Sequence, residues 1–317
     1  MRISIITLTL DSPQFFEETI GSINAEGPFE LEHIVVHDGD DAFIRQLEQS
    51  YPVIKVLKGE GAGATTAAAQ AVEAATGDFI LFLHSDDRLG SAALARLVAC
   101  AASRPEVKIW TGFARIFRTF PDGNELTVRW LIDRDSTRLS LENVCDDIPL
   151  LTARFCHRSI YTEIGNFDPA FSESSDREFL LRALMARIVE APLDVLVSEL
   201  RQHEASRTIH SRRGLVPPYL AEHIRLADAW LMRSGINGRV RGFLRNWRAR
   251  EILRLCIYRC RAGQWKGAAC SLMRAEMTDP LWIFRLATVF TARRRRLRND
   301  DPESLKLSAP PAVASRG

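Results

Sequence analysis

The stretch Gly77 to Leu89, G-D-F-I-L-F-L-H-S-D-D-R-L, constrains the fold more than any other part of the chain. A turn leads into five consecutive apolar residues, Phe79–Leu83, and the run stops on His84, Ser85, Asp86 and Asp87. A short continuous apolar run after a turn predicts a strand buried on both faces. Open α/β sheets bind ligands beyond the carboxyl ends of such strands. Two adjacent acids there suit a metal–diphosphate site. The plain alternative is a solvated loop in which an Asp caps the next helix.

The flanking sequence supports a sheet of this kind. Ile3–Thr9, His33–Val36 and Val53–Leu57 read as three further strands. Between them lie a helix starting at Ser12-Pro13 with an apolar stripe Phe15, Phe16, Thr19, Ile20 and Ile23, and a short helix carrying Phe43, Ile44 and Leu47. An alanine-rich helix, Ala64–Ala75, follows the third strand. Strands alternating with helices predict a mainly parallel α/β sheet of the nucleotide-binding type. Beyond Asp87 the pattern predicts a helix over Ser91–Ala102 and a hairpin of Val107–Arg118 and Glu125–Trp130 about Pro121-Asp-Gly-Asn. A mixed segment Leu150–Ile164, a helix Ser175–Arg187 and a strand Asp194–Leu200 come next. Gln202–Arg213 reads as a polar loop, and its His203 and Ser206 suit either a surface loop or a lid over a diphosphate.

From Pro217 the pattern is helical, with a break at Gly263 and a new start at Asp279-Pro280. Charge separates the two parts. Residues 1–200 hold 18 Lys/Arg against 31 Asp/Glu, whereas residues 201–298 hold 22 against 6. Such a basic half suits anionic lipid, nucleic acid or a phosphorylated substrate. The helices lack a groove-reading motif, so nucleic acid is not expected. The six cysteines show no metal spacing and read as reduced thiols. The start of the chain does not read as a signal peptide, and no apolar run reaches the length of a membrane span. These features predict a cytoplasmic protein, peripheral on the inner face of the cell membrane through its basic helices. Three regions are expected: an α/β domain over 1–210, a basic helical region over 211–298 and a disordered tail over 299–317.

Four segments recur in a familiar order: I-S-I-I-T-L-T-L-D from Ile3, E-H-I-V-V-H-D-G-D from Glu32, A-A-T-G-D-F-I-L-F-L-H-S-D-D from Ala74, and I-G-N-F-D-P-A-F-S-E-S-S-D-R-E-F-L-L-R from Ile164. Together they resemble the family 2 glycosyltransferases of the GT-A fold over roughly residues 2–210. The resemblance implies a Rossmann-like mixed sheet flanked by helices and an inverting transfer from a nucleotide-diphosphate sugar. Thr7 and Asp38 would line the nucleoside pocket. Asp86 would bind donor and a divalent metal (Mn2+ or Mg2+), with Asp87 and His84 as further ligands. Asp176 would be the general base. The acceptor would be a glycan or a lipid-linked glycan, in surface polysaccharide or lipopolysaccharide assembly.

The residue types fit that chemistry. A diphosphate leaving group is anionic, and a hard divalent ion held by one or two carboxylates neutralises it. A hydroxyl nucleophile needs a carboxylate within hydrogen-bond reach. The chain also departs from the family's pattern. Leu8, Leu10 and Asp11 replace the Pro, Tyr and Asn usual after the first strand. His37 and His84 stand where acids are usual, Ser175 where an acid precedes the base, and Thr65, Thr66 and Ala69 where Arg, Asp or Asn are common. Imidazole suits manganese better than magnesium. The same replacements would also suit a catalytically silent relative that binds nucleotide as a scaffold.

Overall fold

The structure, a computed structural model, describes residues 1–10, 14–23, 29–120, 122–203 and 216–284, with side chains of 274–278 left aside. The chain divides into two compact units, Met1–Leu215 and Val216–Gly317.

The first unit begins with the expected alternation: β1 (Arg2–Thr9), α1 (Phe16–Gly21), β2 (Glu30–His37), α2 (Asp41–Ser50), β3 (Ile54–Lys58), α3 (Ala64–Ala74) and β4 (Phe79–Phe82). These strands lie in the order β3-β2-β1-β4 and are parallel. The chain steps outward from β1 to β3, then crosses back to place β4 on the other side of β1. The carboxyl ends of β1, β2 and β4 therefore surround a topological switch point, the usual ligand crevice of such sheets.

The sheet continues with strands of mixed direction. β5 (Arg88–Leu89), α4 (Ala93–Ala101), β6 (Ile109–Thr119) and β7 (Glu125–Leu131) follow β4 in sequence. Then come α5 (Arg134–Thr137), α6 (Leu141–Asp146), β8 (Arg154–His157), α7 (Ser159–Glu163), α8 (Ser175–Met185) and β9 (Glu190–Gln202). Beyond β4 the order is β8-β6-β9-β5, with β7 paired to β6, giving nine strands. β8 runs antiparallel to both β4 and β6, while β9 is parallel to β6. The register of β9 on β6 shifts between Pro192 and Leu196, where Asp194 takes φ 49°. Such a bulge turns the strand that follows it.

Apolar alternation explains the layers. Ile3, Ile5, Leu81, Leu83, Leu97 and Phe155 share one core cluster, and Phe16, Val35, Leu47 and Ile54 share another. Each such buried side chain contributes about 1.5–3 kcal/mol. The mixed segment Leu150–Ile164 resolves into a 3-10 turn, β8 and α7. The strand expected over Asp194–Leu200 is the inner part of the longer β9. The helix start at Ser12-Pro13, and Ser206 with the rest of the polar loop from Glu204, lie outside the described residues.

The second unit holds α9 (Tyr219–Leu231), α10 (Gly238–Arg261) and α11 (Trp265–Thr278). Asn237 caps α10 by accepting a hydrogen bond from the Val240 N–H at 2.9 Å. Gly263 ends it with φ +72°, a left-handed value that favours glycine. Ala249, Ile252, Cys256 and Trp282 form one apolar cluster of this unit, where Leu220, Leu244 and Trp247 are also buried. Asp279 caps the turn after α11, as the sequence predicts, taking the Leu281 N–H at 3.3 Å. No helix among the described residues is long and apolar enough to cross a membrane. The arginine cluster 293–298 and the tail 299–317 lie outside the described residues.

Candidate active site

The site is built on the end of β4. All four residues of that strand are buried, and the Leu83 N–H still pairs with the Ile6 carbonyl of β1 at 2.9 Å. The backbone then turns, with the Asp87 N–H donating to the His84 carbonyl at 3.1 Å. This turn brings one ligand atom each from His84, Asp86 and Asp87 within 4.8 Å of one another. Asp87 is only 3% exposed, whereas His84 is exposed and Asp86 half-buried.

The electrostatics of the turn are unusual. Burial pushes the Asp87 carboxyl up, and its pairing with His84 and the Arg201 N–H offsets this only in part. Crowding by protein would by itself hold the His84 imidazole down. The hydrogen bond and charge of Asp87, then the charges of Asp86 and Asp176, outweigh that and raise it to about 9. His84 Nδ1 lies 3.4 Å from Asp87 Oδ2, an ion-pair contact at long range. Asp87 Oδ2 is nonetheless buried and accepts no hydrogen bond from the described residues.

The end of β9 forms the opposite wall. The Arg201 N–H donates to Asp87 Oδ1 at 2.8 Å, and its Nε donates to the Asp86 carbonyl at 3.0 Å. Two residues on, His203 Nε2 lies 2.8 Å from Asp86 Oδ2. The polar loop expected from Gln202 thus sets a histidine against the Asp86 carboxylate. Nothing local in the sequence marks Arg201 as part of the site. Its contacts to Asp86 and Asp87 span more than a hundred residues of sequence, and no local pattern reports them.

Asp176 enters from α8. It lies in the first turn of that helix, where the dipole favours a carboxylate. Its Oδ1 accepts the Arg177 N–H at 2.7 Å. The loop before the helix is clamped by Arg182, which donates to the carbonyls of Ile164, Gly165 and Asn166 at 2.6–2.8 Å. Gly165 sits there at φ +87°. Asn166 Nδ2 ties the same loop to the Ala69 carbonyl of α3 at 3.0 Å.

Asp38 lies at the carboxyl end of the adjacent strand β2. Its Oδ1 accepts the Gly61 N–H at 2.6 Å, and a Cβ at Gly59 would meet that same oxygen at 2.6 Å. Asp38 thus shapes the glycine loop between β3 and α3. His37 is buried, with its ring 4.7 Å from that of Phe43. Asp40 caps α2, accepting from the Ala42 and Phe43 N–H groups. Thr7 is fully buried, and its hydroxyl lies 3.0 Å from His33 Nε2 inside the sheet. Its hydroxyl therefore serves β1 and β2 rather than an open pocket.

A divalent cation fits the residues at the turn. Carboxylate oxygens and an imidazole nitrogen are the donors such ions take. Asp87 Oδ2 is a buried carboxylate oxygen that meets His84 only through the long 3.4 Å contact, which leaves it a lone pair a cation would satisfy.

The sheet, its switch point and this acidic turn define a nucleotide-binding type of α/β domain with a candidate His-Asp-Asp metal centre. Residues 4–159 match the Glycosyl transferase family 2 model. An uncharacterized glycosyltransferase of Mycobacterium tuberculosis, found in two strains, is 28% identical over 190 residues, covering 58% of this chain and 69% of the relative. The fold is similar to that of Staphylococcus aureus TarS in complex with UDP-GlcNAc, with TM-score 0.64, 16% identity and coverage of 90% of this chain and 88% of that one. The UDP complex of TarS matches with TM-score 0.52 and 15% identity, over 86% of this chain and 92% of that one. The fold is that of GT-A glycosyltransferase structures, and residues 4–159 are what matches the family 2 glycosyltransferases.

Proposed function

We propose that this glycosyltransferase moves a sugar from a nucleotide-diphosphate donor to a hydroxyl of a glycan or lipid-linked acceptor, inverting the anomeric carbon. One observation carries the reading: the turn after β4 brings ligand atoms of His84, Asp86 and Asp87 within 4.8 Å of one another at the switch point of the sheet. The TarS complexes support a nucleotide-sugar donor.

Asp86, Asp87 and His84 would hold Mn2+ or Mg2+, which when bound offsets the charge of the departing diphosphate. Asp176 takes the acceptor hydroxyl proton as its oxygen attacks the anomeric carbon. The bond from that carbon to the phosphate oxygen breaks, and the nucleoside diphosphate leaves with the electron pair. Asp38, at the end of β2, faces the donor's nucleoside, with Thr7 supporting the strand behind it. His203 holds the Asp86 carboxylate from the β9 side. Asp176→Asn should lower transfer by roughly 10²–10⁴-fold, measured as nucleotide release with a folded control. Transfer near the wild-type rate would remove Asp176 from the mechanism.

A nucleotide-binding scaffold is the second reading, favoured by His84 and Ser175 standing where acids are usual. Thermal shifts separate the two. Stabilisation by UDP only with Mn2+ or Mg2+ supports the enzyme, and a metal-independent shift supports the scaffold.

We place the acceptor at a membrane surface. In support, α11 exposes Trp265, Leu272 and Met273 beside Lys266, within the strongly basic part of the chain. Flotation with anionic vesicles that falls with salt is the expected result. Equal binding to neutral vesicles would contradict it.

A further inference from the structure

We infer that Arg201 is a positioning residue that sets the spacing of the Asp86–Asp87 pair, holding one acid by its backbone and the other by its side chain. The inference rests on the metal reading above. It concerns a residue that makes no proposed contact with donor or acceptor.

The geometry is specific. Arg201 closes β9, paired with Phe117 of β6, and is 5% exposed. Its backbone N–H engages Asp87 Oδ1 at 2.8 Å. Its guanidinium reaches the opposite side of the turn, where Nε engages the Asp86 carbonyl at 3.0 Å. The rest of the fork is fixed elsewhere: one terminal nitrogen donates to Thr119 Oγ1, and the other to Glu18 Oε2 at 2.5 Å. The planar group lies between two rings, 4.1 Å from the centre of Phe15 and 4.7 Å from that of Phe117. Glu18 also binds Arg88, the residue that follows Asp87, at 2.9 Å. The acid turn is therefore held from α1, β6 and β9 by one buried cation.

Three physical consequences follow from this arrangement. The Nε–H fixes the Asp86 carbonyl, and the backbone N–H fixes Asp87 Oδ1, before any cation arrives. The fork restricts the turn, so less ordering is needed on binding. Asp87 Oδ1 is also occupied by the N–H, which leaves Oδ2 as the oxygen that faces His84. Groups that orient metal ligands from behind typically change affinity by about 10–100-fold when removed. A lysine keeps the charge but cannot reproduce a planar fork with several fixed partners.

The test is Mn2+ binding to the full chain by calorimetry, with folding checked by circular dichroism. Arg201→Lys should weaken Mn2+ binding by about 10-fold or more. Glu18→Gln leaves Arg201 in place and loosens only one arm, and should weaken binding by a smaller factor, about 2–3-fold. A folded Arg201→Lys protein with wild-type Mn2+ affinity overturns the inference, even if its melting temperature falls. Should Arg201→Lys fail to fold, Glu18→Gln decides alone: a weaker Mn2+ affinity supports the inference and an unchanged one overturns it. Wild-type protein that binds no Mn2+ overturns the metal reading itself, and this inference with it.

Discussion

Two buried carboxylates, one in each unit, show opposite solutions to the same physical problem. Glu251 on α10 is fully buried and completely answered. Its oxygens take His223 Nδ1 at 3.1 Å, Arg250 Nε at 2.9 Å and Arg254 at 2.8 Å. Burial alone would raise its pKa, but the His223 hydrogen bond and the two arginine charges pull it down to about 2. Asp87 is almost as buried, yet one oxygen meets only the exposed His84 imidazole at 3.4 Å, and burial pushes its pKa up. A charge satisfied on all sides is a structural device. One left half-satisfied at a sheet's ligand end is poised for a cation, because an isolated buried charge is costly to keep.

The largest test of this contrast is Glu251→Ala. Removing the acid leaves His223, Arg250 and Arg254 without it, and should destabilise the chain by about 3–5 kcal/mol in thermal or urea unfolding. A loss below 1 kcal/mol would erase the distinction.

Acid titration comes next. The folded pKa of Glu251 lies below its usual value of 4.5. Its stabilisation is therefore complete above about pH 4.5 and is lost as pH falls toward 2, on the order of 3 kcal/mol in all. Hydrogen exchange in α9 and α10 should lose protection over that window, and Glu251→Gln should flatten the slope. An unchanged slope would assign the effect to other acids.

Asp87→Asn should behave in the opposite way. The amide oxygen can keep the Arg201 N–H, and the buried charge disappears. Stability should stay within about 1 kcal/mol of wild type, while Mn2+ affinity falls by about 100-fold. A large loss of stability with intact Mn2+ binding would make Asp87 a structural acid like Glu251.

Much of this was legible in the sequence, for identifiable reasons. Phe79–Leu83 announces β4 because a strand buried on both faces has no polar alternation. Asp40 announces the start of α2 because its cap is a local contact. Asp86, Asp87 and His84 follow from their place after that strand. Partners brought in by the second half of the sheet were not legible. β5 is two residues long, and β9 reaches Asp87 only because a bulge and the parallel pairing with β6 carry Arg201 there. Thr7 was expected to line a pocket. Almost all of β1 is buried, and the Thr7 hydroxyl meets His33 across the strand pair, a contact set by register rather than by motif.

The central claim is that the β4 turn binds a divalent cation together with the donor's diphosphate. Calorimetric titration of UDP into the full chain, with Mn2+ and then with excess EDTA, tests it most directly. The account predicts UDP binding with Mn2+, its loss in EDTA, and its loss in Asp86→Asn with Mn2+ present. UDP binding of equal strength in EDTA, or unaffected by Asp86→Asn, would contradict it.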